Sequence, residues 1–382
     1  MSFAILLLIF WGSIAAIFYA YFGYPVSLAL VAAVRGERKV NKRPYFPPLT
    51  LIITAFNEEK RIAEKIENTL LLEYPDEKLQ VLVASDGSTD KTSEIVLGYR
   101  DKHVQLLAFP EHRGKELAQA EAVRNGSGAI FVFTDVAAIL EPGALKEIVS
   151  NFADDSVGSV SAEDRLLEKD GSTTGESSYI RYEMWLRRME TKANSLVGLS
   201  GSFFAARKEV CTDFSGEMQS DFRTLLNTVK MGMRGVSDPA AIGTYFDSLD
   251  ERHEFDRKVR TVLRGLTVFF SHPQFLNPVR FGLFSYQYFC HKLLRWLVPF
   301  FLCIALFANA LLAFETETWL FLFLLQISFY ALAFMGSGNW VRPTSFFVRI
   351  PKFFLIVNAS ILLAWIKYLM GQRMVMWNPT ER

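Results

Sequence analysis

Asn57, Glu58, Asp86 and Asp135 are the first residues of this chain whose types and positions point to chemistry. Each follows or ends an apolar run of strand length. Side chains of these kinds accept hydrogen bonds from ring N–H and hydroxyl donors, and the carboxylates also bind hard divalent cations. A plain structural reading stands beside this one, because Asn57, Asp86 and Asp90 are of the types that cap helices and initiate turns. Capping alone does not require successive strand ends to carry polar groups. Ligand binding does, since open α/β sheets take ligands beyond the carboxyl ends of their strands.

The elements that would position these groups are strands at Leu49 to Ala55, Leu79 to Ser85, Val104 to Phe109 and Ala129 to Thr134. Helical patterns alternate with them near Glu58 to Leu72, Lys91 to Arg100 and Lys115 to Asn125. Strand followed by helix, repeated, predicts an α/β, Rossmann-like, mostly parallel sheet with helices on both faces. A less regular second half runs from about Val157 to Gly265, with a long helical pattern at Glu176 to Ser195 and small residues at Gly198 to Ser202. No fixed-period repeat or low-complexity tract interrupts the chain.

Of the 382 residues, 51% are hydrophobic and 34 are Phe, and they are unevenly spread. No charged residue occurs from Met1 to Val34, enough helix to cross a bilayer core of roughly 30 Å. Pro25 predicts a kink in it. A signal peptide would show a basic start and a short apolar core, and this segment has neither. Arg35, Arg38, Lys39, Lys42 and Arg43 follow against the single acid Glu37, an excess that holds a flank in the cytoplasm. The soluble domain is therefore expected on the cytosolic side of the cell (inner) membrane, with anionic lipids beside the basic flank. A net charge of +1 without a basic stripe gives no case for nucleic-acid binding. Cys211, Cys290 and Cys303 suggest neither a disulfide framework nor a zinc site, in keeping with a reducing compartment.

The chain becomes apolar again at Leu297 to Phe314, Trp319 to Met335 and Phe353 to Ile366. Acidic Glu315 and Glu317 suit an outside loop, whereas Arg342, Arg349 and Lys352 suit an inside one. Three full crossings after the catalytic domain would leave the C-terminus outside, yet Lys367, Arg373 and Arg382 favour inside. Phe353 to Ile366 is also short for a span and suits a re-entrant or interfacial segment. The expected division is a membrane helix at 1–34, a basic linker at 35–48 and the catalytic domain at 49–265. An interfacial amphipathic region at 266–296, two or three membrane helices at 297–370 and a tail at 371–382 complete it.

Four segments line up in order: Thr54-Ala55-Phe56-Asn57-Glu58-Glu59, Ser85-Asp86-Gly87-Ser88-Thr89-Asp90, Arg113-Gly114-Lys115 and Phe133-Thr134-Asp135. Together they resemble the membrane-bound family 2 glycosyltransferases, which include the cellulose, hyaluronan and poly-N-acetylglucosamine synthases. The resemblance implies a GT-A fold and a UDP-sugar donor. It implies that Ala55, Asn57, Glu58 and Asp86 contact the nucleoside, with Glu58 and Asp86 on uracil and ribose, and that Lys115 lies near the nucleotide as a point charge. Asp135 matches the first acid of the D-x-D motif, which binds Mg²⁺ or Mn²⁺ on the diphosphate. Gln219-Ser220-Asp221-Phe222 resembles the acid-Asp motif that supplies the catalytic base, here Asp221. Arg257-Lys258-Val259-Arg260 occupies the place of the Gln-x-x-Arg-Trp motif, so Arg257 and Arg260 are expected at the pyrophosphate.

Four positions depart from the family pattern, one of them Arg257, which stands where the motif has Gln. Ala137 stands where D-x-D has its second acid, so phosphate oxygens, water or another side chain must complete the metal shell. An Asn common after the Gly-Lys is absent. Thr261 stands where the motif has Trp, which removes the aromatic platform for an acceptor sugar. The reading that results is an inverting glycosyltransferase acting on a membrane-proximal polysaccharide or lipid-linked acceptor, with envelope or exopolysaccharide synthesis as its setting. A processive synthase of the hyaluronan or cellulose type and a catalytically impaired sugar-nucleotide binder are the alternatives. A nucleotidyltransferase would want a Gly-rich loop after the first strand, where Phe56-Asn57-Glu58-Glu59 stands. A transporter would want buried ionisable groups in its spans.

Overall fold

In the computed structural model, Leu49–Ala55 forms β1 with every residue buried. This is the pattern of a strand covered on both faces. The structure describes residues 2–167, 175–214, 218–246, 251–337 and 346–373. Arg342 and Arg382, weighed above for topology, lie outside the described residues. Side chains of β1 alternate between two cores. Ile53 and Ala55 pack with Ile62, Ile66 and Val96, while Ile52 packs with Ala118, Ala122 and Phe131.

Strands β2 (Leu79–Asp86), β3 (Val104–Phe109) and β4 (Ile130–Asp135) pair in parallel around β1 in the order β3-β2-β1-β4. Ala55 is level with Ser85, and Thr54 with Asp135, so these strands end on one edge with their polar residues side by side. The expected helices are present but shorter at both ends, as Ile62–Leu70 and Thr92–Leu97, while Lys115–Asn125 keeps its expected span. What precedes the first two is loop built by polar side chains, described below.

The second half makes the sheet mixed. β5 (Ile139–Leu140), β6 (Val157–Leu167), β7 (Phe203–Arg207) and β8 (Arg234–Phe246) extend it to the order β3-β2-β1-β4-β7-β6-β8-β5. β7 runs antiparallel to both β4 and β6, and β8 lies parallel to β6. The antiparallel β4–β7 pair brings the start of β7 to the end of β4, where the Asp135 N–H donates to the Ser202 carbonyl at 3.0 Å. Phe133 and Phe204 stack across this pair with centroids 4.6 Å apart, a contact worth about 0.5–1.5 kcal/mol beyond its buried area.

Among the described residues, four helices are long and apolar enough to cross a membrane: Phe3–Arg35, Leu283–Leu312, Glu317–Met335 and Ile350–Leu369. The first widens into a π-turn at Tyr19–Gly23, next to Pro25. Pro25 has no N–H for the carbonyl of Tyr21, and that carbonyl instead accepts the Tyr182 hydroxyl at 2.7 Å from the long helix Gly175–Ala193. The expected irregularity thus becomes a joint to the soluble domain. The helix that holds residues 297–312 begins at Leu283, so it takes in His291, Lys292 and Arg295, with a second π-turn at Phe289–Leu294. The last helix, Phe346–Leu369, lies against the basic helix Glu251–Ser271: Lys258 sits 5.4 Å from the ring centre of Phe353, and Phe270 meets Trp365 and Tyr368. Phe354 joins the cluster of Leu294 and Val298, while the Trp365 indole donates to the Trp296 carbonyl at 2.8 Å. Trp365 also meets Phe300, with ring centres 5.8 Å apart.

Candidate active site

The residues beyond β1 and β2 hold each other. Asn57 adopts a left-handed backbone, with φ 52°, which Asn tolerates better than most residues. Its side-chain oxygen accepts the Thr89 N–H at 2.8 Å. Asp90 accepts from the N–H groups of Thr92 and Glu59, at 2.9 and 3.0 Å. Of the three possible caps, Asp90 is the one at a helix start, while Asn57 ties the two strand ends together. Asp86 is 1% exposed and accepts from the Arg113 N–H at 2.9 Å, the Gly114 N–H at 2.7 Å and, through Oδ2, His112 Nδ1 at 2.9 Å. Gly87 permits this docking: its φ is 69°, and a Cβ there would stand 2.2 Å from the His112 nitrogen. Phe56 stacks on His112 at 3.7 Å between ring centres.

The loop that Asp86 holds delivers Lys115. Its ammonium donates to Asp135 Oδ1 at 2.5 Å and to the Gly201 carbonyl at 2.8 Å. Under the same strand end Lys65, fully buried, donates to Thr134 Oγ1 and the Ala138 carbonyl at 3.0 and 2.6 Å. Glu58 is buried and held by Arg61 through two parallel bonds of 2.8 Å. Burial pushes its carboxyl up and Arg61 opposes the rise.

One cavity of about 530 Å³ gathers most of the expected residues: Glu58, Lys115, Asp135, Asp221, Arg257 and Arg260. Ala55, Asn57 and Asp86 lie outside its lining, behind the strand ends. Asp221 stands in the first turn of Ser220–Lys230, with Oδ1 accepting the Phe222 N–H at 2.8 Å. A Cβ on Gly201 would stand 3.1 Å from its Oδ2, so the glycine leaves the carboxylate room. Arg257 is held by Glu254 through bonds of 2.7 Å. Arg264, one turn beyond Arg260, reaches Glu116 Oε1 at 2.5 Å. Burial pushes the Glu116 carboxyl up, with Arg264 opposing.

A wall of the cavity that sequence reasoning left out comes from the membrane helices. Glu183 meets Arg295 at 2.5 Å, and His291 lies between Glu190 at 2.6 Å and Glu183 at 3.5 Å. The Tyr24 hydroxyl donates to Glu190 at 2.5 Å, and Arg295 donates to the Tyr179 hydroxyl at 2.6 Å. Burial alone would raise the Glu183 carboxyl, but Arg295 and His291 beside it hold it well below the usual carboxylate range. The signal was present: three ionisable residues at 291, 292 and 295 inside an apolar run call for partners. Setting the span at Leu297 had placed them outside it. Glu183 and Glu190, on the long helix Gly175–Ala193, are the partners of Arg295 and His291.

Among the described residues no group of three or more His, Cys, Asp or Glu is placed to hold a metal. The donor set nevertheless fits a divalent ion that arrives with its substrate. Mg²⁺ commonly takes one or two carboxylates plus phosphate oxygens and water rather than a protein cage. Asp135 lines the cavity with its carboxylate on Lys115, whereas Glu58 and Glu116 are each committed to an arginine. Ala137 lines the cavity beside it and adds no ligand.

Residues 50–214 match the family described as Glycosyl transferase family 2. Poly-beta-1,6-N-acetyl-D-glucosamine synthase of Staphylococcus aureus (strain COL) is 26% identical over 170 residues, 43% of this chain. That of Staphylococcus epidermidis (strain RP62A) is 23% identical over the same length. The match spans 40% of the length of these relatives. Among solved structures, a mannosyltransferase from Pyrobaculum calidifontis in complex with GDP-Man and Mn²⁺ superposes with a TM-score of 0.72 at 22% identity, covering 96% of this chain and 99% of that one. Residues 50–214 thus match the glycosyl transferase family 2 model within a GT-A fold, flanked by helices apolar and long enough to span a membrane.

Proposed function

We propose that this protein is an inverting glycosyltransferase that moves a sugar from a UDP-sugar to a membrane-proximal polysaccharide or lipid-linked acceptor, in envelope or exopolysaccharide synthesis. The observation that carries the reading is that Asp135, at the end of β4, and Asp221, at the start of a helix from the second half, line one cavity with Arg260. Arginines suit a diphosphate because the guanidinium binds two oxygens at once. The nucleoside sits at the ends of β1 and β2, near Ala55, Asn57 and Glu58, with Asp86 acting through the 112–114 loop. Lys115, Arg257 and Arg260 face the diphosphate. Asp135 holds Mg²⁺ or Mn²⁺, which when bound stabilises the charge developing on the leaving group.

Asp221 accepts the proton of the acceptor hydroxyl as that oxygen bonds to the anomeric carbon. The bond from this carbon to the diphosphate breaks on the opposite side, and UDP leaves with the electron pair. One displacement inverts the centre and needs no covalent intermediate. Thr261, on the cavity wall where a stacking Trp would serve a growing polymer, favours limited addition over long-chain synthesis. The basic flank at 35–43 supports a cytosolic catalytic domain at the inner membrane.

Nucleotide release from a panel of UDP-sugars, with GDP-mannose as a further arm because the solved neighbour holds GDP-Man, tests the donor. Release from a UDP-sugar, lost in Asp221→Asn, is expected. Full activity in that variant would remove Asp221 as base, and release from GDP-mannose alone would overturn the uridine assignment. A long ladder of products would overturn limited addition.

A further inference from the structure

We propose that the acceptor brings a phosphate group into the cavity and that Lys292 is its binding residue. This deepens the transferase reading and rests on it. Lys292 lines the same cavity as Asp221, yet it belongs to the Leu283–Leu312 helix rather than to the soluble domain. On the same helix His291 and Arg295 are both paired, with Glu190 and Glu183. Lys292 forms no ion pair among the described residues. Its ammonium lies instead 4.7 Å from the ring centre of Phe222 and 6.0 Å from that of Trp296.

Aromatic faces attract a cation but accept none of its three N–H bonds in the usual way. Among the described residues this ammonium meets rings and no hydrogen-bond acceptor, so its N–H donors are open to an anion. The space for one exists, because a Cβ on Gly198 would come within 3.0 Å of Lys292 Nζ, and glycine leaves that volume open. The donor diphosphate already has Arg257 and Arg260, on the basic helix. An anion at Lys292 therefore enters from another direction, past Trp296, Val357 and Ile361, apolar lining residues of the helices Leu283–Leu312 and Phe346–Leu369 that lie beside the paired Glu183, His291 and Arg295. A ligand with an anionic head and a long apolar chain matches both halves of this site. Phosphate on a lipid carrier supplies that chemistry, close to the hydroxyl that Asp221 deprotonates.

The test uses the full chain in detergent and four probes: UDP, GDP, a long-chain isoprenyl phosphate in mixed micelles, and inorganic phosphate. Lys292→Met is expected to weaken isoprenyl phosphate binding about tenfold or more, the loss of a charge-assisted contact, with UDP affinity within about twofold of wild type. Lys292→Arg, which keeps the charge, is expected to retain lipid binding and serves as the folding control. Competition by inorganic phosphate at concentrations comparable to the lipid's would show that the head alone is recognised and would overturn the lipid assignment. Unchanged isoprenyl phosphate binding in Lys292→Met would overturn the site. Equal loss of UDP would assign Lys292 to the donor instead. A wild-type chain that binds neither UDP nor GDP would fail the transferase reading itself, an outcome distinct from the loss of lipid binding alone.

Discussion

Lys115 Nζ sits 2.5 Å from Asp135 Oδ1, so the carboxylate proposed to hold the metal already carries an internal cation. Donor and ion must then replace this contact, and the freed ammonium becomes available to the diphosphate. Lys115→Met is expected to lower kcat/KM by about 10–100-fold, the usual scale for a lost charge-assisted contact. Manganese binding, read by electron paramagnetic resonance of Mn²⁺ with UDP, is expected to persist in this variant and to be lost in Asp135→Asn. Chelation of the divalent ion should halt nucleotide release, and Mn²⁺ should restore it. Persistent release in excess chelator would count against Asp135 as a metal ligand.

Gly201 offers a finer probe of the proposed base than removing it. A methyl at this position would approach Asp221 Oδ2 to 3.1 Å and push it by tenths of an ångström. Gly201→Ala is expected to slow turnover about tenfold or more with little change in UDP affinity, since small misplacements of a reacting group are costly. Single-turnover kinetics beside equilibrium UDP binding separates the two, and a defect confined to binding would argue against Asp221.

Glu183 links stability to pH. Arg295 and His291 face it from the Leu283–Leu312 helix, with Tyr179 on its own helix. Its carboxyl is held well below the usual range in the folded chain, so the unfolded chain binds the proton more readily. The stabilisation is therefore present above the ordinary glutamate value near pH 4.3 and is lost as pH falls toward the folded value. Glu183→Gln leaves Arg295 without its counter-charge and is expected to cost about 3–5 kcal/mol at neutral pH. The melting difference between wild type and variant should shrink on acidification below pH ~4. A difference that stays constant with pH would refute this role.

The first four strands were legible because each is an apolar run bounded by turn residues, and their order follows from strand–helix alternation. Asp135 and Asp221 were identifiable as cavity residues for the same local reasons, one ending a strand and the other starting a helix. Asp86 shows the limit: its type and position were read correctly, but only the fold reveals that both oxygens are occupied by the 112–114 loop. The cluster of Glu183, Glu190, His291 and Arg295 was hidden for a different reason. Its members are separated by about a hundred residues, and pairing across such a distance leaves no periodic mark in either segment.

The last helix bears on how often the chain crosses the bilayer. Phe354 and Trp365 are eleven residues apart, about 16 Å along a helix axis. Trp365 meets Trp296 and Phe300 of the Leu283–Leu312 helix, and Phe354 joins the cluster that holds Leu294, Val298, Phe301 and Leu302. Lys367 and Arg373 at the end of Phe346–Leu369 are of the type that holds a flank in the cytoplasm, so three traverses are expected instead of four, with both flanks of the last helix in the same aqueous compartment as the sheet. A cysteine introduced at Gln372 should react with a membrane-impermeant maleimide only from that compartment, together with one at Lys91, whereas one at Glu315 should react from the other. The conflict between the basic C-terminal residues and an even number of crossings then disappears, because the number is odd.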